Sequence, residues 1–172
     1  MKQFFLALLV IAGLVWAAPG QAFAAKATNF TGEGYVYSMP AGNIKPLPKG
    51  FLTKDEYVDL AVYASTGWAD LAGATINTVH KSNSRIVSPD GSFIGHGSGK
   101  ITITTASGRV LTGNFNFDIA GQLDLNTDEL LALNDNGKFN ANDKNGKISG
   151  SFQLLYSVAD SINVATFVGT IH

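Results

Sequence analysis

The stretch FIGHGSGKITIT, residues 93–104, alternates apolar or glycine residues with polar residues along most of its length. Successive side chains of a β-strand point to opposite faces of the sheet. Gly95, Gly97 and Gly99 therefore share one face with the apolar residues before and after them, and the polar residues point the other way. The alternation predicts a half-buried strand whose apolar face consists partly of glycine.

Part of this stretch, GHGSGK at residues 95–100, invites comparison with a phosphate-binding loop. Such a loop has a glycine five residues before its Gly-Lys pair and a serine or threonine directly after the lysine. Ile94 and Ile101 occupy those two positions. A strand follows, where a helix N-terminus would be needed to hold the phosphate. The sequence therefore excludes a P-loop here.

The same glycine phase recurs in the other predicted strands. Nine glycines are in phase with apolar residues on the inner face, namely Gly32, Gly34, Gly95, Gly97, Gly99, Gly113, Gly121, Gly150 and Gly169. A strand glycine costs about 0.5–1 kcal/mol relative to alanine, so the set costs about 5–9 kcal/mol. Either the glycines let the strands bend and close a barrel that aromatic side chains fill, or they leave a hollow inside it. The sequence leaves both alternatives open.

Hairpin-type turn signals separate the strands, which predicts a mainly β fold: an antiparallel meander curled into a barrel or strongly curved sheet. The signals are Pro89-Asp90-Gly91, Ser107-Gly108, Asp135-Asn136-Gly137 and Lys144-Asn145-Gly146. The predicted strands lie near 30–38, 93–105, 109–125, 137–142, 147–157 and 163–171. In its general plan this architecture resembles calycin-type and allene-oxide-cyclase-type barrels, a likeness of shape that transfers no residue roles.

Residues 54–66 interrupt the strand pattern, and we expect one helix there, extending at most to residue 80. Their apolar residues fall on one stripe of a helix, and Thr53 and Glu56 have the spacing of a capping box. Part of the segment also alternates as a strand does. Residues 39–50 carry three prolines, which predicts an extended loop without ladder bonds.

Residues 1–24 have the features of a cleaved export signal, with an early lysine, an apolar run, and small residues at Ala22 and Ala24. The apolar run is shorter than the roughly 20 residues that a membrane span needs. We therefore expect residues 25–172 to form a single β-rich domain, periplasmic or secreted, with no integral membrane span after the signal is removed. The chain has no cysteine and so forms no disulfide.

Charge argues against nucleic acid as a partner, because the chain carries 12 Lys and Arg against 13 Asp and Glu, without a run of one sign. We also expect no metal and no cofactor. Residues 134–147 have the composition of a calcium loop but place apolar residues where its carboxylates are needed. The three histidines, His80, His96 and His172, stand singly rather than at the spacing of a metal-binding pair.

The leading hypothesis is a non-enzymatic binding protein whose barrel holds a small apolar or amphipathic molecule. Its candidate ligand-binding residues are the glycines of the strand predicted near residues 93–105 and aromatic residues on the same inner face of the sheet. They are Gly95, Gly97, Gly99, Phe115, Phe117, Phe152 and Tyr156. An internal cavity would support this hypothesis.

Two alternatives stay open, and so does the oligomeric state. In the first, the barrel is an enzyme of isomerase, cyclase or hydrolase type that uses Glu33 as general acid between Tyr35 and Tyr37. In the second, it is a surface or matrix protein that works by contact with glycans or with its own copies, and Thr31 together with the same residues is a candidate sugar-stacking platform. A titratable group with a perturbed pKa inside a cavity would favour the enzyme.

Overall fold

The computed structural model describes residues 27–40 and 42–172, and the predicted export signal lies outside these residues. The described chain forms one antiparallel sheet of nine strands. The strands are β1 (Thr28–Ser38), β2 (Asn43–Leu47), β3 (Gly50–Thr66), β4 (Thr75–Ile86), β5 (Ser92–Thr104), β6 (Val110–Leu123), β7 (Leu130–Asp143), β8 (Gly146–Ser157) and β9 (Ile162–Ile171). A 3-10 helix, Ala69–Leu71, lies between β3 and β4. Within the described ranges, no helix has the length and hydrophobicity of a membrane span.

Eight of the nine strands close into a ring, which confirms the predicted barrel-like meander. Consecutive strands from β3 to β9 pair as antiparallel neighbours. β1 joins the two ends of this series, because Thr28 pairs with Ile171 of β9 and Thr31 pairs with Thr66 of β3. β2 pairs with β3 beyond the end of β1 and is an edge strand. The ring of strands encloses the hydrophobic core.

The expected helix over residues 54–66 is wrong, because these residues belong to the long strand β3. Leu60 and Val62 are buried while Tyr63 is exposed, which is the two-residue period of a strand. The same residues also fit a helical stripe, so the local pattern is ambiguous. Long-range pairing decides between the two, because β3 bonds to β1 on one edge and to β4 on the other.

The extension of that helix towards residue 80 is wrong as well. Beyond β3, helical structure is limited to the 3-10 turn Ala69–Leu71, and β4 begins at Thr75. Thr53, expected to cap the helix, is a buried residue of β3 opposite Ser82. A threonine and a glutamate three residues apart can also occur in a strand, where they have no capping role.

Two loop predictions also need correction. The proline-rich segment contains β2, which pairs with β3 from Asn43 to Leu47. Pro46 is compatible with this pairing because β2 is an edge strand, where a missing backbone donor is tolerated. The sequence Asp135-Asn136-Gly137 is not a turn but part of β7. Its glycine is required for packing, because a methyl group there would overlap the ring of Phe152.

Phenylalanine rings cover several of the inward glycines. A methyl group on Gly97 would overlap the Phe117 ring and lie 2.8 Å from the carbonyl oxygen of Lys81. The same arrangement joins Gly121 to Phe93, Gly137 to Phe152, Gly150 to Phe139 and Gly169 to Phe30. Rings from neighbouring strands therefore occupy the space above these glycines. Most of the barrel is filled, and the strands can curve tightly around their own side chains.

The connection between β3 and β4 closes one end of the barrel. Leu71 and Trp68 are buried there, and the ring centroids of Phe30 and Trp68 lie 5.3 Å apart. Asp70 ties this connection to the β5–β6 turn by accepting hydrogen bonds of 2.8 Å from the backbone N–H and the hydroxyl of Ser107. The inner polar residues described next lie further along the barrel, towards its other end.

Candidate functional site

The inner face of β4 carries polar side chains where a barrel interior is normally apolar. After the buried Ile76 come Thr78, His80, Ser82 and Ser84, all pointing inward and all buried. The hydroxyl of Thr78 donates a 3.1 Å hydrogen bond to the carbonyl oxygen of Val58 on β3. Burying a polar group costs free energy unless the group is hydrogen-bonded, so these four side chains need hydrogen-bond partners.

A β-bulge in β3 supplies one partner. Thr53 pairs with Ser82 and Glu56 with His80, so β3 has one more residue than β4 in this interval. Asp55, within the bulge, has a φ of 53°, in the left-handed region that non-glycine residues rarely occupy. The bulge turns Glu56 towards the interior, where its Oε2 lies 3.2 Å from Nε2 of His80. Bulges commonly re-aim side chains beside functional sites.

Asp135 reaches the same interior region from the opposite side of the barrel. It lies on the inner face of β7, between Ile119 of β6 and Leu154 of β8. Its Oδ1 is buried and has no hydrogen-bond partner. Burial, and then the negative charge of Glu56, raise the pKa of Asp135 to about 8. This carboxyl group is therefore protonated and uncharged at neutral pH.

An internal cavity of about 40 Å³ lies between these groups. Its walls are mainly apolar and include Phe115, Phe117 and Phe152, while Thr78, His80 and Asp135 are its polar lining residues. The Phe115 and Phe117 rings are stacked with centroids 5.5 Å apart, and the His80 ring meets the Phe117 ring edge-on at 5.1 Å. The volume corresponds to room for about three water molecules. It is far below the roughly 300–1000 Å³ of a drug-sized pocket.

Three polar residues line the cavity, Thr78, His80 and Asp135, and the last two each have an unpartnered atom. These atoms are Nδ1 of His80, whose side chain is 7 % exposed, and Oδ1 of Asp135. In a neutral imidazole one nitrogen carries the proton and the other accepts. When His80 is neutral, Nε2 must be the donor to Glu56, and this leaves Nδ1 as an unsatisfied acceptor. The cavity thus has mainly apolar walls, and two of its lining residues each have a buried polar atom without a hydrogen-bond partner.

The structure brings together only some of the residues that the sequence predicts as ligand-binding. Phe115, Phe117 and Phe152 line the cavity. Tyr156 packs against the core, on the inner face of β8. The three glycines of β5, Gly95, Gly97 and Gly99, lie on the inner face but do not line this cavity.

Glu33 and the tyrosines near it lie on the outer surface of the barrel. Glu33 accepts a 3.3 Å hydrogen bond from the hydroxyl of Tyr63. Tyr35 and Tyr37 are 45 % and 53 % exposed. These residues are therefore separated from the internal cavity by the barrel wall. Their position fits the surface-contact alternative better than an internal general acid.

Sequence reasoning missed the three titratable residues of the interior. Glu56 and His80 fell in or near the segment expected to be helical, and Asp135 fell in an expected turn. One signal was available: Thr78, His80, Ser82 and Ser84 alternate in phase with Ile76, as the inner face of a polar-lined strand would. A bulge that shifts Glu56 into this face has no signature in the sequence.

Within the ranges 27–40 and 42–172, no group of three or more His, Asp or Glu side chains is arranged to hold a metal ion. Comparisons with known proteins found no matching family model, no matching curated protein and no matching solved structure. Functional inference therefore depends on the geometry of the cavity itself.

Proposed function

We propose that the barrel interior binds a small amphipathic molecule. The single observation that carries this proposal is a mainly apolar cavity lined by two residues that each have an unpartnered buried polar atom, Nδ1 in His80 and Oδ1 in Asp135. The apolar part of the ligand lies against Phe115, Phe117 and Phe152, and its polar group bonds to the two polar atoms. The export expected from residues 1–24 is part of this proposal, in which the protein works outside the cytoplasm.

An amphipathic ligand suits the site better than a purely apolar one. A buried polar group without a hydrogen bond costs about 1–3 kcal/mol. A hydrocarbon leaves that cost in place at both His80 and Asp135, whereas a polar group on the ligand removes it. The small volume limits the enclosed part of the ligand to a few non-hydrogen atoms. A short-chain molecule, or the end of a longer one, meets both conditions.

Titration with butan-1-ol, followed by the amide and methyl NMR signals of the protein, tests this proposal. We expect saturable shifts centred on Phe115, Phe117 and Phe152. Ala165 lines the cavity and is buried, so Ala165→Leu fills the space and should abolish these shifts. Ala120→Leu makes the same change at an exposed position and should leave them intact. Shifts that persist in Ala165→Leu would place the alcohol elsewhere and contradict the proposal.

A second candidate function is favoured by the raised pKa of Asp135. A protonated carboxyl group and an imidazole acceptor facing one cavity form an acid–base pair. Such a pair can enolise a small ketone: His80 Nδ1 takes a proton from the carbon beside the carbonyl, and Asp135 donates a hydrogen bond to the enolate oxygen. In this alternative the enzyme uses these two residues rather than Glu33.

Deuterium incorporation into butan-2-one in D₂O measures this activity directly. The proton that returns to carbon is then a deuteron, so the ketone is labelled without any other reagent. We expect labelling above the rate in buffer for the wild type and a loss of about 100-fold or more in His80→Gln, within the usual contribution of a general base. Equal rates with and without protein would exclude the acid–base alternative.

A further inference from the structure

We infer that the polar group recognised in the cavity is cationic, a primary ammonium on a short aliphatic chain. This inference rests on the proposed binding function of the same cavity. Three features of the interior point to it: the hydrogen-bonding character of the unpartnered atoms, the balance of charge, and the aromatic walls. No metal, cofactor or co-reactant is needed, because the step is reversible binding.

The first feature is the character of the two unpartnered atoms. Nδ1 of neutral His80 is an acceptor, because the other nitrogen bonds Glu56. Oδ1 of Asp135 is also an acceptor whenever this carboxyl group is ionised. An ammonium group has three donors and no acceptor. It can satisfy both atoms at once, whereas an alcohol has one donor and brings lone pairs of its own.

The second feature is the charge of the interior. Two carboxyl groups, Glu56 and Asp135, face this region, and His80 is the basic residue that accompanies them. No Lys or Arg lines the cavity among the described residues. Asp135 holds its proton at neutral pH because burial, and then the charge of Glu56, raise its pKa. A bound ammonium supplies a compensating positive charge and allows Asp135 to ionise inside the barrel.

The third feature is the aromatic wall of the cavity. Phe115, Phe117 and Phe152 all line it. The negative face of an aromatic ring attracts a cation within about 6 Å, most strongly when the site is desolvated. A carboxylate ligand would gain nothing from these rings and would be repelled by Glu56. The aromatic walls and the acidic groups therefore both favour a positively charged ligand.

Access is available beside Glu56, whose side chain is 25 % exposed. β1 pairs with β3 as far as Ser38, and β2 resumes the pairing at Asn43. Glu56 lies on the stretch of β3 between these two pairings, where Gly42 packs against its backbone, so the route to solvent runs along the partly exposed Glu56 side chain. An ammonium group can enter past the Glu56 carboxylate, and the aliphatic chain can extend back along the same route. The cavity itself takes about three non-hydrogen atoms.

Calorimetric titration with butylamine, butan-1-ol and butyrate tests the inference, because the three probes share one chain and differ in their polar group. In mildly alkaline buffer we expect butylamine to bind about tenfold or more tighter than butan-1-ol, as a charge-assisted hydrogen bond allows. Butyrate should bind weakest. Ala165→Leu, which fills the cavity, should abolish binding of butylamine.

Two variants assign the preference to the interior carboxyl group. Asp135→Asn keeps the shape of the side chain and should reduce the preference for butylamine over butan-1-ol to about twofold or less. Asp118→Asn removes the same charge from the exposed face of β6 and should leave the preference unchanged.

The possible results separate the inference from the proposed function. If butan-1-ol binds as tightly as butylamine and Ala165→Leu blocks both, the cavity is a binding site and the cationic preference is wrong. The same conclusion follows if butyrate binds tightest, or if Asp135→Asn retains the full preference for butylamine. If no probe binds in a manner that Ala165→Leu blocks, the proposed function fails and the inference fails with it.

Discussion

Replacing Asp135 by asparagine should stabilise the protein at neutral pH by about 4 kcal/mol, an unusual gain for a single substitution. In the wild type, folding at pH 7 requires this carboxyl group to take up a proton, because its pKa is about 8 in the folded state. In the unfolded chain an aspartate has a pKa of about 3.9 and is ionised. Asparagine is neutral in both states, so it removes the cost of that proton uptake.

The pH dependence of this effect has a definite sign. A carboxyl group whose pKa is raised on folding favours the folded state fully at pH values below its unfolded pKa. This contribution is lost as the pH rises from about 4 to about 8, because the folded state then binds a proton that the unfolded state has released. The stability of the wild type should therefore fall across this window relative to Asp135→Asn. Below about pH 4 the two proteins should be similar.

Urea unfolding of both proteins at several pH values between about 4 and 8 measures the difference. Glu56 and His80, which face the same region as Asp135, are present in both proteins, so the comparison isolates the change at residue 135. Asp118→Asn, on the exposed face of β6, should show no such dependence on pH. A gain in Asp135→Asn that is the same at every pH would mean that Asp135 is ionised in the folded protein.

The sequence was sufficient to predict the strands whose two-residue alternation has no competing explanation. β5, β6, β8 and β9 lie close to their predicted positions, and the inward phase of the glycines is confirmed. β3 could not be predicted, because residues 57–64 satisfy both the strand and the helix period. What distinguishes the two is pairing with β1 and β4, which involves residues far away in the chain. A local pattern contains no information on such pairing.

The candidate site was harder to predict than the fold, for a related reason. Phe115, Phe117 and Phe152 were identified because aromatic residues in phase with inward glycines are visible in one strand at a time. Glu56 and Asp135 come together only through ring closure. Glu56 also depends on the bulge at Asp55, and an extra residue in one strand reverses the face of every residue that follows it.

Gly97→Ala should destabilise the protein by about 3 kcal/mol, at the upper end of the cost of overpacking a core. The added methyl group meets the Phe117 ring on one side and the Lys81 carbonyl oxygen, at 2.8 Å, on the other. The backbone oxygen cannot move without disturbing the pairing of β4 with β5, so the ring must give way. Urea unfolding measures the loss. His96→Ala, one residue earlier on the exposed face, should cost little.

The direction in which the Phe117 ring yields links this glycine to the binding site. Phe117 also lines the cavity, so a ring displaced from Gly97 moves into the space that a ligand would occupy. Gly97→Ala should therefore weaken binding of butylamine although Gly97 does not line the cavity. Gly121→Ala is the matched control, because its methyl group would lie 2.5 Å from Cζ of Phe93, a ring that does not line the cavity. It should lose comparable stability and keep its affinity.

The two glycine variants together separate stability from binding. If both lose affinity equally, the loss reflects a general loosening of the barrel and not the displacement of Phe117. If Gly97→Ala retains both its stability and its affinity, the ring has a second position that leaves the cavity open. In that case, contact with the Phe117 ring would not be the reason why residue 97 is glycine. The close approach of the Lys81 carbonyl oxygen would then be tolerated as well, and packing would not require glycine at this position.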